Sequence, residues 1–188
     1  MRFVAYKDYY TLKLNTLLLF FIVLGYSSYS QSTNTIQQIR EDLFYSDFDL
    51  EKSFEFDKSI TALKDNSPLI QAYKAASEAL IAKYSWNPVT KFNYLNNAQK
   101  LLDEAVAKDA LNVEIRFLRL YIENSIPAYL GMSKNRKEDK QVIIDNLELL
   151  SKINIGADIT TYIISYITSP KVSTAEEIEL IKRKMAVN

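Results

Sequence analysis

Three glycines in 188 residues leave this chain few places at which the backbone can take the positive φ that tight hairpins need. Only Gly131 and Gly156 follow residue 30, and no Asn-Gly pair occurs. An all-β chain needs turn signals about every ten residues. The sequence therefore predicts an all-α fold, and its helix-start signals agree. Ser67-Pro68 and Asn87-Pro88 each set an N-cap residue before a proline at the first helical position. Thr174 and Glu177 have the spacing of a capping box, and Thr35 and Gln38 form a weaker version of it. Asn112 and Asn135 are expected to cap two further helices, and Gly156 to close one as a left-handed C-terminal cap.

Between these marks the apolar spacing is helical. Phe92, Leu95, Ala98, Leu102 and Ala105 fall on one face, as do Ile159, Tyr162, Ile163, Tyr166 and Ile167, and then Ile178, Ile181 and Met185. Helices are expected near 36–45, 50–63, 68–84, 88–108, 113–126, 137–152, 158–168 and 174–186. The second is in question, because Ser53, Phe54, Glu55 and Phe56 alternate as a strand does. The segment 113–126 is apolar on most sides and is expected to be central and buried, with Pro127 ending or kinking it. No linker rich in Pro, Gly or Ser divides the chain after residue 30, so 31–188 reads as one domain, with an N-terminal helical arm (31–66) and a helical core (67–188). The expected architecture is an irregular stack or bundle of about seven helices arranged as hairpins.

Residues 1–30 read as a secretory signal peptide. Arg2, Lys7 and Lys13 precede the apolar run Leu17 to Leu24, which is shorter than the ~20 residues of a membrane span. Ser28 and Ser30 then place small residues where a signal peptidase inspects them, and cleavage is expected before Gln31. An uncleaved leader is the alternative, and the only route by which membrane attachment is expected. Cysteine is absent, so the exported domain has no disulfides and must stand on apolar burial. No Asn-x-Ser/Thr acceptor occurs either. Together these point to the periplasm or exterior of a Gram-negative bacterium.

Charge argues against nucleic acid. The chain carries 23 basic and 23 acidic residues, and the leader takes three of the former and one of the latter, leaving 20 against 22. Phosphate binding rests on clustered Lys and Arg. The two basic clusters here, Lys134/Arg136/Lys137/Lys140 and Lys182 to Lys184, read as solvated faces.

Ala98, Leu102, Ala105 and Ala110 follow the spacing of the second helix of a tetratricopeptide repeat, and Asn112 falls where a next repeat begins. In this respect the chain resembles the tetratricopeptide-like helical proteins, although Ala110 replaces their usual proline and no second copy recurs at a fixed period. The stretch from Glu114 to Leu120, after a long Ala/Leu helix, resembles small exported helical proteins of Gram-negative bacteria. The resemblance implies a stack with a concave adaptor surface. It transfers no catalytic residue.

The absence of histidine removes the commonest general base and metal ligand, and with cysteine also absent it removes the His-assisted nucleophiles. No GxGxxG or GxxxxGK motif is present. No cofactor, metal site or catalytic residue is therefore assigned. Asp47, Asp49 and Glu51 open like a calcium loop but lack its glycine, and read as a solvated connection. Phe44, Phe48, Phe54 and Phe56 are expected to pack this arm on the core, the alternative being a segment that docks a partner. Tyr84, Trp86, Phe92 and Tyr94 are expected to close the end of a helical hairpin around Asn87-Pro88, the alternative being a surface patch.

Glu114, Arg116, Arg119 and Glu123 must reach solvent or find partners, since an unpaired buried charge is costly. Arg119 and Glu123, four apart, are expected to pair. Such charges either form an ion-pair lattice that orients helices or present a guanidinium to an anionic ligand. Arg116, Arg119 and Tyr129, with the loop Pro127 to Gly131, are the candidate binding residues. The expected function is a non-catalytic protein-interaction or scaffold module whose partner is another protein. A small-ligand binder is the alternative, and a carboxylate hydrolase using residues such as Glu104, Glu114 or Glu123 the more distant one.

Overall fold

The computed structural model describes residues 36–152 and 155–186. The leader, its cleavage point and the cap at Thr35 lie outside these residues. Among those described, nine α-helices and one 3-10 turn occur and no strand: α1 (36–46), α2 (Leu50–Ala62), α3 (Pro68–Tyr84), α4 (Pro88–Lys108), α5 (Val113–Ser125), the 3-10 turn Ala128–Leu130, α6 (Arg136–Asp145), α7 (Glu148–Lys152), α8 (Ala157–Ile167) and α9 (Ala175–Ala186). From Ile39 onward the chain forms one compact unit. None of the described helices is long and apolar enough to cross a membrane.

The caps explain most of these boundaries. Asn87 Oδ1 accepts from the amides of Val89 and Thr90, and Asn112 Oδ1 from those of Glu114 and Ile115. Thr174 and Glu177 close their capping box reciprocally. The alternating segment 53–56 is helical, because α2 starts from a strong cap, with Asp49 accepting from the Lys52 amide. Ser53, Phe56 and Ile60 then form its buried face at helical spacing.

Four local expectations are corrected. The segment 137–152 is two helices: Asn146 turns its side-chain amide onto the Val142 carbonyl and its backbone amide onto Val142 and Ile143, which ends α6. Asn135 makes no side-chain cap. Ser67 likewise makes none, leaving Pro68 to start α3. Gly156 precedes α8 at φ 92°, ψ 142°, outside the left-handed helical well, so it serves as an N-cap. The left-handed conformation belongs instead to Gly131 (φ 66°, ψ 15°), which closes the 3-10 turn.

Two layers of packing meet on α5. On one side α3 buries Ala72, Ala75, Ala76 and Ala82, small residues that let α2, α4 and α5 approach its backbone, while α4 answers with Ala98, Leu102 and Ala105. On the other side Val113, Phe117 and Leu120 of α5 join a core of branched aliphatics: Ile143 and Ile144 of α6, Ile163 and Ile167 of α8, and Ile181 of α9. Every residue from Val113 to Leu120 is buried, so α5 is the expected central helix. Its charged residues are buried with it.

Candidate functional site

Each charge buried on α5 is closed by a partner from another part of the chain. Glu114 accepts from Nε (2.8 Å) and Nη2 (2.9 Å) of Arg40, tying α1 to α5, and from the Tyr73 hydroxyl of α3. Burial, with the Glu114 carboxylate next to it, holds the Tyr73 phenol well above its ordinary range. Asp139, fully buried in the first turn of α6, receives both arginines. Arg119 Nε and Nη2 grip its two oxygens at 2.7 Å, and Arg116 Nη1 reaches Oδ1 at 2.7 Å. Arg116 also donates to Glu138 and the Ala110 carbonyl, and Arg119 to Asp103 of α4. Arg116 next to Glu138 holds that carboxyl below its ordinary range.

The expected Arg119–Glu123 pair is thus replaced by Arg119–Asp139. Glu123 instead accepts from the side chain and backbone amide of Asn135, at 2.8 and 2.9 Å. Burial raises the Glu123 carboxyl, and these two donors pull against that rise. The geometry is an ion-pair lattice that orients α1, α3, α4 and α6 around α5. Both Arg116 and Arg119 are buried, with their donors spent on the Ala110 carbonyl and on carboxylates of the chain itself. Tyr129, by contrast, is 86% exposed on the 3-10 turn. Arg116 and Arg119 thus meet on Asp139, and Tyr129 stands open on its own turn.

The hydrolase candidates also have partners, Glu104 at an exposed position. Glu104 accepts from Gln71 Nε2, and Glu114 and Glu123 are held as above. Asp47 and Asp49 are also occupied: Asp47 accepts from Lys83 and Tyr121, and Asp49 caps α2. No group of three or more acidic residues among the described residues is arranged to hold a metal ion.

The open surface lies elsewhere. Of the four phenylalanines expected to pack the arm, only Phe56 is buried; Phe44 and Phe54 are about half exposed, and Phe48 is 72% exposed. The aromatic cluster at Asn87-Pro88 packs only in part: Tyr84 and Tyr94 are half-buried. Trp86 is 92% exposed, Val89 is exposed beside it, and Phe92 is half exposed. Phe48 lies in the α1–α2 turn and Trp86 in the α3–α4 turn, and Asp47 of the first turn bonds the last turn of α3, just before the second. Lys83 Nζ donates to Asp47 Oδ1 (2.9 Å) and Tyr84 Oη to the Asp47 carbonyl (3.1 Å). Tyr121, near the C-terminal end of α5, donates to Asp47 Oδ2 (2.8 Å), and burial holds its phenol above the ordinary range.

Phe44 links this rim to the interior. Its ring meets Tyr45, Phe48 and Tyr162 edge to face at 5.6, 5.9 and 5.6 Å. Tyr162 continues into Phe117, Tyr121 and Tyr166. One end of the helical stack therefore presents rings backed by an aromatic cluster. The loop carrying Tyr129 leaves α5 a turn beyond Tyr121.

Sequence reasoning missed the partners Arg40, Asp103 and Asp139, and the bridging Asp47. Two acids in the first turn of the helix after α5 were the available signal, since two arginines on a buried face require carboxylates from a neighbour. No family model matches the chain, and no curated protein or solved structure matches it either.

Proposed function

We propose that this chain is an exported, non-catalytic interaction module of tetratricopeptide-like build, working in the periplasm of a Gram-negative bacterium and holding a partner protein on its aromatic end. One observation carries the reading: the charges of the central helix are closed internally, while Phe48 in the α1–α2 turn, Trp86 in the α3–α4 turn and Val89 in the first turn of α4 stand open, where Asp47 bonds the end of α3. Interface centres are rich in Trp, Tyr and Phe because such rings cover much area at little entropic cost. The close α3–α4 hairpin built on alanines supports the tetratricopeptide-like description.

Site-specific photocrosslinking tests this. Benzoylphenylalanine is placed at Phe48, Trp86 or Leu111 in the cell that makes the protein. Leu111 is an exposed apolar residue beyond the far end of α4, whose 21 residues span about 30 Å. The expected result is one partner captured from positions 48 and 86 and not from 111. Capture only from 111, or equal labelling at all three, contradicts the proposal.

A further inference from the structure

The chemistry surrounding the aromatic end narrows what can sit on it. Between residues 41 and 57 the chain carries seven acids and a single base, Lys52. Asp49, Glu51 and Glu55 are exposed among the rings. Two cations at this end lie on rings: Lys52 Nζ is 5.0 Å from the Tyr45 centroid, and Lys83 Nζ, paired with Asp47, is 5.4 Å from that of Tyr84. Intramolecular ammonium groups thus settle on tyrosine faces, that of Lys83 next to a carboxylate. Trp86, the best cation–π acceptor among side chains, carries no such cation among the described residues and is almost fully exposed.

We infer that the aromatic end docks a cationic segment of a partner protein, its Arg or Lys side chains lying on Trp86, Phe48 and Phe44 with Asp49 and Glu51 balancing their charge. This deepens the interaction reading and rests on it. An anionic lipid surface would be repelled by the same acids. A second copy of the chain is disfavoured because its own basic clusters are small; the first is interrupted by Glu138 and Asp139, and its Lys140 is spent on Glu177. Charge here selects the partner and speeds encounter, and the rings supply contact area.

The probe is a fluorescein-labelled arginine-rich peptide, compared with the same peptide carrying citrulline, which keeps the planar head and removes the charge. Anisotropy is read on the purified full chain. The arginine peptide is expected to bind about tenfold more tightly than its citrulline twin. It is expected to quench Trp86, and to weaken as salt rises from about 50 to 300 mM. F48S/W86S should lose that binding. D49N/E51Q should weaken it severalfold while keeping every ring, since asparagine can still cap α2.

Equal affinity for both peptides overturns the cationic partner but leaves aromatic docking standing, provided crosslinks still form at 48 and 86. Loss of those crosslinks removes both. Arginine-peptide binding unaffected by F48S/W86S assigns it to diffuse acidity and overturns the inference. So does quenching of Trp86 by phosphatidylglycerol vesicles in place of peptide, or a concentration-dependent dimer that F48S/W86S abolishes.

Discussion

The central helix and the aromatic end break the usual inside–outside rule in opposite directions. α5 buries Glu114, Arg116, Arg119 and Glu123, and the turns at the end expose phenylalanine, tyrosine and tryptophan. Inside, each exception is closed: Arg119 has Asp139 and Asp103, Glu114 has Arg40 and Tyr73, and Glu123 has Asn135. Outside, Phe48 rests on Phe44 and Phe44 on Tyr162, while Phe48 and Trp86 are left uncovered. A buried charge without a partner costs several kcal/mol and cannot persist. An exposed ring costs little in folding and is available for contact. Charge on α5 therefore belongs to structure, and the rings are where binding is to be sought.

The largest effect that could break this comparison is at Asp139. D139A leaves two buried guanidiniums without their shared carboxylate, and unfolding in urea should show a loss of about 3–5 kcal/mol. A loss below about 1 kcal/mol would mean that the lattice carries little. E114Q keeps the shape but removes the charge facing Arg40. It should cost about 2–3 kcal/mol by the same measurement, more than any change on the aromatic end.

Glu78 sharpens the contrast as an incomplete closure. Its Oε2 and Ser173 Oγ are buried without a hydrogen-bond partner among the described residues, while Asn97 serves the carboxylate of Glu78. Burial, then the nearby Asp57, raises its pKa in the folded protein. A raised folded pKa favours the protonated form, so the fold is fully stable below the unfolded value of about 4.3 and loses stability as pH rises through the folded value. E78Q should stabilise at pH 7 by about 0.5 kcal/mol or less, given its partial exposure. The gain should vanish near pH 3. Melting curves at the two pH values check it, and equal gains at both would remove the electrostatic explanation.

The smallest expected effect is on stability at the rim itself. F48S should change unfolding free energy by less than about 0.5 kcal/mol. The single tryptophan, Trp86, should emit as an exposed indole and be quenched freely by acrylamide. A blue-shifted, protected signal would place the ring inside and dissolve the contrast.

The helices were legible because their signals are local. Asn87 and Asn112 cap residues two and three positions on, and the Thr174–Glu177 box closes within one turn. The break at Asn146 was not, because there an asparagine competes for helix-end carbonyls without glycine or proline to mark it. The charged site was half legible. A buried arginine announces that it needs a carboxylate, yet Arg40 and Glu114 are 74 residues apart, and only the fold brings them together. Exposure of Phe48 and Trp86 was misread for a related reason. Apolar content and spacing say that a face could be covered, and only the placement of other helices decides whether it is.

The most direct test pairs two readouts on F48S/W86S, with a photocrosslinker at the neighbouring Val89: the urea midpoint and the yield of partner crosslink. The account predicts an unchanged midpoint with the crosslink lost. A lowered midpoint, or a crosslink that survives removal of both rings, contradicts it.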